Sequence, residues 1–351
     1  MKKNWWKILA VLLIVYSFAM GLLTPLRTGI SGASPRSVKA GQTFTMQVQG
    51  YNSYFTQSKN ELRAWLKMDS AHAIAADKIE VLNDRDLNLT FELPAYLPTS
   101  RKVQNFTLIV DSPKDGAAVL PEGLYVTQEK IDPSQGAQLW QNDKITDLHE
   151  KNSITFPYRN ILYETIRNLY YHVPLWFAMF ILFIAAVVQS VLFLKNFDEK
   201  NDQRAAALTS VGILYGILGL ITGAIWAKNT WGAFWSWDVK QNMTAVGLLI
   251  YGAYFVLRNS FEDPEKKARI SAVYNIFAFA TLVPLLYVIP KLTDSLHPGA
   301  GGNIAFGSQD LDHTMRLVFY PAIIGWALFG VWVASLVYRT NRLRERLLGG
   351  E

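Results

Sequence analysis

The chain has 351 residues, half of them hydrophobic, and its 34 Lys and Arg against 28 Asp and Glu leave a formal net charge of +6. A mean hydropathy of +0.12 is high for a soluble protein and low for one lying wholly in a bilayer, so a mixed architecture is expected. With no cysteine, the sequence excludes a disulfide framework, thiol chemistry and covalent cofactor attachment through C-x-x-C-H.

A transmembrane helix needs roughly 20 apolar residues. Six stretches qualify, at about 5–24, 173–194, 206–227, 240–257, 270–290 and 317–338. The fourth is short and spans only if its helix begins near Asp238. Residues 1–29 read as an uncleaved N-terminal anchor; lysines before the apolar run and small residues after it also allow a cleaved signal peptide.

Residues 30–150 form a segment too long to lack structure of its own. Phe44–Gln49, Leu62–Lys67, Leu87–Leu93, Phe106–Val110 and Leu124–Thr127 alternate at period two. Turn signals at Asn83-Asp84, Pro94, Ser112-Pro113 and Pro121-Glu-Gly123 break them. This pattern predicts an inserted β-sandwich-like domain. His72 and His149 lack a metal-spaced partner and read as surface residues. Residues 151–171 place Phe156, Ile161, Leu162, Ile166 and Leu169 at helical spacing, which predicts an amphipathic helix on the membrane surface.

Residues 172–340 then carry five further spans, and 341–351 read as a basic tail. Lysines and arginines crowd the segments before the first span, between the second and third, between the fourth and fifth, and after the sixth. Both termini are therefore expected in the cytoplasm, with the 30–150 domain outside. These inside loops also account for the net charge, which gives no case for nucleic-acid binding. The fold class expected is an α-helical membrane protein of about six transmembrane helices with an inserted extracytoplasmic β-rich domain.

The outer loop between the third and fourth spans reads WAKNTWGAFWSWDVK. It holds Trp226, Trp231, Trp235 and Trp237, four of the chain's eleven tryptophans, and closes on Asp238. An interfacial aromatic belt and a helix cap would explain two tryptophans and the aspartate. Four within twelve residues point to a platform for a flat apolar ligand.

Counting spans places further groups on the same face. His172 opens the second span, and His297 lies in the outer loop between the fifth and sixth, in SLHPGAGGN. Taken alone, each histidine also suits an interfacial or turn position. Together, two neutral imidazoles over a tryptophan surface are the provision expected for a haem held by two axial nitrogens. Lys228, Lys240, Lys291 and Arg316 are outer-face cations suited to propionates. The run Gly299 to Gly302 is a weak phosphate-loop signal and suits close passage of backbone past a ligand or lipid. His313, near Asp310 and Asp312, reads as a capping or surface residue.

Trp231-Gly-Ala-Phe-Trp-Ser-Trp-Asp238 resembles the tryptophan-rich "WWD" signature of the cytochrome c assembly family. Arg167-Asn-Leu-Tyr-Tyr-His-Val-Pro174 and Leu296-His-Pro-Gly299 are similar to the segments carrying the two external histidines of its CcmC branch, over about 160–340. The resemblance implies a multi-pass protein of the bacterial inner membrane that presents haem b at the outer face; that face is the periplasmic side, on which the charge distribution puts the 30–150 domain. His172 and His297 would be the axial ligands, and Trp231, Trp235, Trp237 and Asp238 the platform. The haem would pass to a periplasmic chaperone of the CcmE type, with a small CcmD-like subunit and a CcmA/CcmB-like ABC transporter as partners. Lys240 stands where the family commonly has Arg, replacing a planar fork by a point charge. The resemblance is silent on the 30–150 domain.

A haem-binding transfer protein is thus expected rather than a catalyst of bond formation. The alternative is a CcsA-type cytochrome c synthetase, a haem lyase attaching haem to apocytochrome. That branch usually carries more spans and a histidine pair within the membrane, whereas no span here contains a buried histidine. A scaffold recruiting partners through its β-domain is a third class.

Overall fold

A computed structural model describes residues 4–140, 142–151, 154–297 and 311–348. Pro298, the Gly299 to Gly302 run and Asp310 lie outside the described residues. The chain divides into two units, Pro25–Tyr163 and the rest.

The Pro25–Tyr163 unit is built from β1 (Gly29–Ser34), β2 (Ser37–Lys39), β3 (Thr43–Tyr51), β4 (Arg63–Lys67), β5 (Ala73–Ala75), β6 (Lys78–Val81), β7 (Asp86–Glu92), β8 (Val103–Ser112) and β9 (Gly116–Thr127), with a short helix α2 (Pro133–Leu139). A four-stranded sheet runs β1-β3-β7-β6 and a five-stranded sheet β2-β9-β8-β4-β5. Met46, Val48, Leu87, Leu89 and Phe91 of the first and Leu66, Phe106, Leu108, Val110 and Leu120 of the second form one buried cluster. The period-two alternation has this cause: each strand sends every other side chain into that core. The expected break at Pro121-Glu-Gly123 is absent, because β9 runs straight through it. Glu122 takes φ 52° opposite a register shift between Phe106 and Leu108, so the turn-like residues form a bulge inside a strand.

The helix expected over 151–171 is confined to its last nine residues. Among the described residues, 151–162 hold no helix, and a 3-10 turn over Tyr163–Asn168 leads into the next element. Pro157 cannot donate within a helix. Phe156 instead pairs with Leu26: its N–H donates to Pro25 O at 2.9 Å, and Arg27 N–H donates to Phe156 O at 2.8 Å. His149 is exposed, as expected of a surface residue, and its backbone N–H and Nδ1 each lie 2.9 Å from the buried Asp111 carboxylate.

The other unit is helical: α1 (Trp5–Leu23), α3 (Leu169–Asn196), α4 (Glu199–Trp231), α5 (Val239–Asn259), α6 (Pro264–Val283), a π turn at Pro284–Val288, α7 (Ile289–Leu292) and α8 (His313–Leu348). Among the described residues, five stretches are long and apolar enough to cross a membrane: Trp5–Leu23, Tyr163–Asn196, Glu199–Trp231, Pro264–Leu292 and His313–Leu347. These make the chain a multi-pass membrane protein. The fourth expected span, α5, is not among the five, because Lys240, Gln241 and Asn242 occupy its first turn. It does begin beside Asp238, and its 21 residues reach about 30 Å. The tail expected from 341 is helical, as α8 continues to Leu348.

At the end of the bundle away from the tryptophan loop, Arg258 of α5 forks onto Asp202 of α4, at 2.6 and 2.5 Å. Only 13% and 11% of these side chains are exposed. Removing one partner of such a pair strands the other charge. Asp202→Ala is therefore expected to destabilise the detergent-solubilised protein by about 3 kcal/mol. An unfolding midpoint equal to the wild type's would contradict this.

Candidate functional site

The site begins with how closely α3 and α4 approach. Gly212, Gly216, Gly219 and Gly223 recur along one face of α4. A Cβ would stand 2.4 Å from Phe183 at Gly212, 3.1 Å from Met179 at Gly216, 2.7 Å from Trp176 at Gly219 and 2.7 Å from His172 at Gly223. The α3 partners descend as the glycines ascend, so the helices run antiparallel. Their contact is close because small residues admit it. This glycine stripe holds the His172 ring against α4.

His172 Nδ1 lies 3.0 Å from Thr222 Oγ1, and the Trp176 indole Nε1–H donates to His172 Nε2 at 3.1 Å. An indole nitrogen only donates. Nε2 is therefore the acceptor, and Nδ1 carries the proton that Thr222 accepts. The Thr222 hydroxyl spends its own proton on the Leu218 and Gly219 carbonyls, at 2.9 and 3.0 Å. One tautomer satisfies the whole chain of donors.

The tryptophan loop follows α4. Gly232 ends that helix at φ 87°, where its N–H caps Lys228 O, and the Lys228 ammonium donates to Gly232 O at 2.9 Å. Asp238 then caps α5 by accepting from Lys240 N–H at 2.9 Å. Trp237 between them takes a left-handed φ of 58°, costly for a residue bearing a Cβ. Asn242 Nδ2, 2.8 Å from Trp237 O, helps to hold it there, while Gln241 Oε1 accepts from Ser236 N–H and Oγ, both at 3.0 Å.

Asp238 does more than cap. Its Oδ1 also accepts from Ser295 Oγ and His297 Nδ1, both at 3.1 Å, and its Oδ2 from Leu296 N–H at 2.8 Å. One buried carboxylate thus ties the start of α5 to the loop beyond α7. Burial alone would raise the Asp238 carboxyl, but these donors outweigh it and hold the group below the ordinary carboxylate value. Burial, then the Lys240 ammonium, pushes His297 down to about 4 against the pull of Asp238. The imidazole is neutral at physiological pH, with Nδ1–H on the carboxylate; among the described residues Nε2 has no hydrogen-bond partner.

Around His297 stand Trp231, centroids 4.9 Å apart at 74°, and Trp226 at 6.1 Å, the two indoles meeting edge to face at 4.9 Å. His172 and His297 lie within electrostatic reach of each other and of Lys240. The structure therefore brings His172, His297, Trp226, Trp231, Asp238 and Lys240 to one end of the bundle. Trp235 and Trp237 pair with each other at 6.3 Å, and Trp237 is 78% exposed. Among the described ring contacts, theirs reach neither histidine. Lys291 lies within electrostatic reach of Lys240. His313 is an exposed first residue of α8.

Thr222, Trp176 and Ser295 are site residues that a tryptophan-centred reading misses. The four-residue separation of His172 and Trp176 on a helix was a legible signal, as was the glycine stripe. Thr222 and Ser295 carry none.

A family model described as CcmC, Heme exporter protein C, matches residues 157–348. Proteins named Heme exporter protein C are similar to this chain in several bacteria. That of Paracoccus denitrificans is 26% identical over 183 residues, covering 52% of this chain and 76% of that protein. That of Rhodobacter capsulatus is 26% identical over 186 residues, covering 52% and 75%. That of Escherichia coli strain K12 is 24% identical over 185 residues, covering 53% and 71%.

Proposed function

The chain belongs to the heme exporter protein C family, and from that premise we propose that it binds haem b at the outer end of its bundle and hands it on for cytochrome c maturation. It acts as a transfer protein rather than an enzyme. Bound haem supplies an iron with two axial positions and a flat apolar macrocycle. On the protein's side, Nε2 of His172 and of His297 are the ligands. Trp226 and Trp231 line the His297 side, while the exposed Trp235–Trp237 pair extends the apolar surface. Lys240, within electrostatic reach of both histidines, is a cation for a propionate.

The observation that carries this reading is the donor set. A histidine that ligates a metal keeps its other ring N–H on an acceptor, which fixes tautomer and orientation. Both imidazoles meet that condition, through Thr222 at 3.0 Å and Asp238 at 3.1 Å. Asp238 therefore supports His297 rather than the haem ring itself. The receiver is a periplasmic haem chaperone of the CcmE type, with CcmD-like and CcmA/CcmB-like partners. The inner membrane, cytoplasmic termini and a periplasmic β-domain complete the proposal.

The test is absorption spectroscopy of protein purified in mild detergent from haem-supplied cells. The wild type is expected to give a low-spin spectrum of two nitrogen ligands. His172→Ala and His297→Ala should each lose it, with at least tenfold less haem retained, since each removes one of two axial bonds. Unchanged spectra and haem content in both variants would overturn the ligand assignment.

A further inference from the structure

The two imidazoles are held unequally. His297 gives its Nδ1–H to a buried carboxylate, at 3.1 Å. His172 gives its Nδ1–H to a neutral hydroxyl, at 3.0 Å. A carboxylate behind an imidazole raises the basicity of the opposite nitrogen, and a hydroxyl does so far less. Nε2 of His172 is, in addition, already occupied by the indole N–H of Trp176, at 3.1 Å. That indole cannot easily swing away, because it packs over Gly219, where even a Cβ would stand 2.7 Å from its ring.

We propose that Trp176 is a latch that competes with iron for Nε2 of His172, making His172 the axial ligand that lets go first and His297 the one that retains haem until transfer. The proposal rests on the two-histidine reading above. The exchange balances without redox change. The iron–Nε2 bond of His172 breaks, the lone pair stays on nitrogen, and the Trp176 N–H donates into it. While iron holds that lone pair, the indole N–H is left without this partner in an apolar surrounding, a cost that release removes. Trp176 is a positioning residue, acting only through His172. Thr222 acts differently: by accepting from Nδ1–H it fixes the tautomer that leaves the Nε2 lone pair open to either partner and supports ligation, which weakens without it.

The two residues therefore carry opposite signs. Haem-loaded wild type, Trp176→Phe and Thr222→Val would be mixed with excess apomyoglobin as scavenger, and haem loss followed by absorbance. Thermal unfolding of each haem-free protein would be recorded alongside. Removing the competing donor, worth one hydrogen bond, is expected to slow loss about fivefold in Trp176→Phe, and Thr222→Val should hasten it. Trp176→Phe losing haem at the wild-type rate or faster would overturn the latch. Faster loss from both variants with a shared drop in melting temperature would assign Trp176, His172 and Thr222 to a structural clamp between α3 and α4, overturning it equally. His172→Ala separates the two levels. If that variant loses the low-spin spectrum while Trp176→Phe behaves as wild type, only the latch fails. If it leaves spectrum and retention unchanged, the two-histidine reading and the latch fail together.

Discussion

Asp238→Ala is expected to remove the order of the 293–297 loop and the retention of haem in one step. The carboxylate accepts from Lys240 N–H, Ser295 Oγ, Leu296 N–H and His297 Nδ1. The substitution deletes an N-cap, worth about 1 kcal/mol. It also leaves buried donors unpaired at about 1–3 kcal/mol each, so a loss of roughly 4 kcal/mol is expected. Asp238→Asn separates the contributions. Asparagine is an equally good cap, but it lacks the charge and leaves at least one of these buried donors facing an amide NH2, so it should melt between Asp238→Ala and wild type while retaining less haem. The measurements are the melting temperature of the haem-free protein and haem content per chain. Asp238→Ala matching wild type in both would refute the role of this carboxylate as the loop's anchor.

Acidification supplies the second large effect. His297 in the folded protein takes up its proton at about 4, against an ordinary value of 6.5. Between those values the unfolded chain binds a proton that the native protein does not, so stability falls as pH falls. The loss is absent above pH 6.5 and grows to about 3 kcal/mol by pH 4, from 1.36 kcal/mol per unit. Asp238, held below the ordinary carboxylate value, stays ionised through this window and contributes its own loss only at lower pH. Unfolding of the haem-free protein at a series of pH values should show the slope, and His297→Gln should flatten it. An identical slope in both proteins would assign the acid sensitivity to other groups.

Some features needed only local reading. Apolar length marks a span wherever it occurs, and one face of the tryptophan loop with its two histidines followed from counting crossings. Alternation at period two found β3, β4, β7, β8 and the end of β9, since each of these strands sends every second residue into the shared core. The same local logic failed where neighbours overrode it. Pro121-Glu-Gly123 has the composition of a turn, yet pairing with β8 carries the strand through it as a bulge. The apolar spacing of 151–162 imitates a helix, yet Phe156 is recruited as a strand partner by Leu26.

By itself the sequence determined that this protein is a multi-pass membrane protein of the heme exporter protein C family with a strand-rich insertion, and which aromatic and imidazole groups gather at one end. Only the tertiary structure decided which partners each group meets there. His172 finds its acceptor 50 residues away in Thr222, and His297 finds its own 59 residues away in Asp238. Such partners leave no periodicity and no motif. They are set by which helices approach closely, and that approach depends on four glycines lying opposite large α3 side chains. Tautomer, protonation and the inequality of the two histidines follow from those packed neighbours, because burial and hydrogen-bond partners control an imidazole more than its place in the chain does.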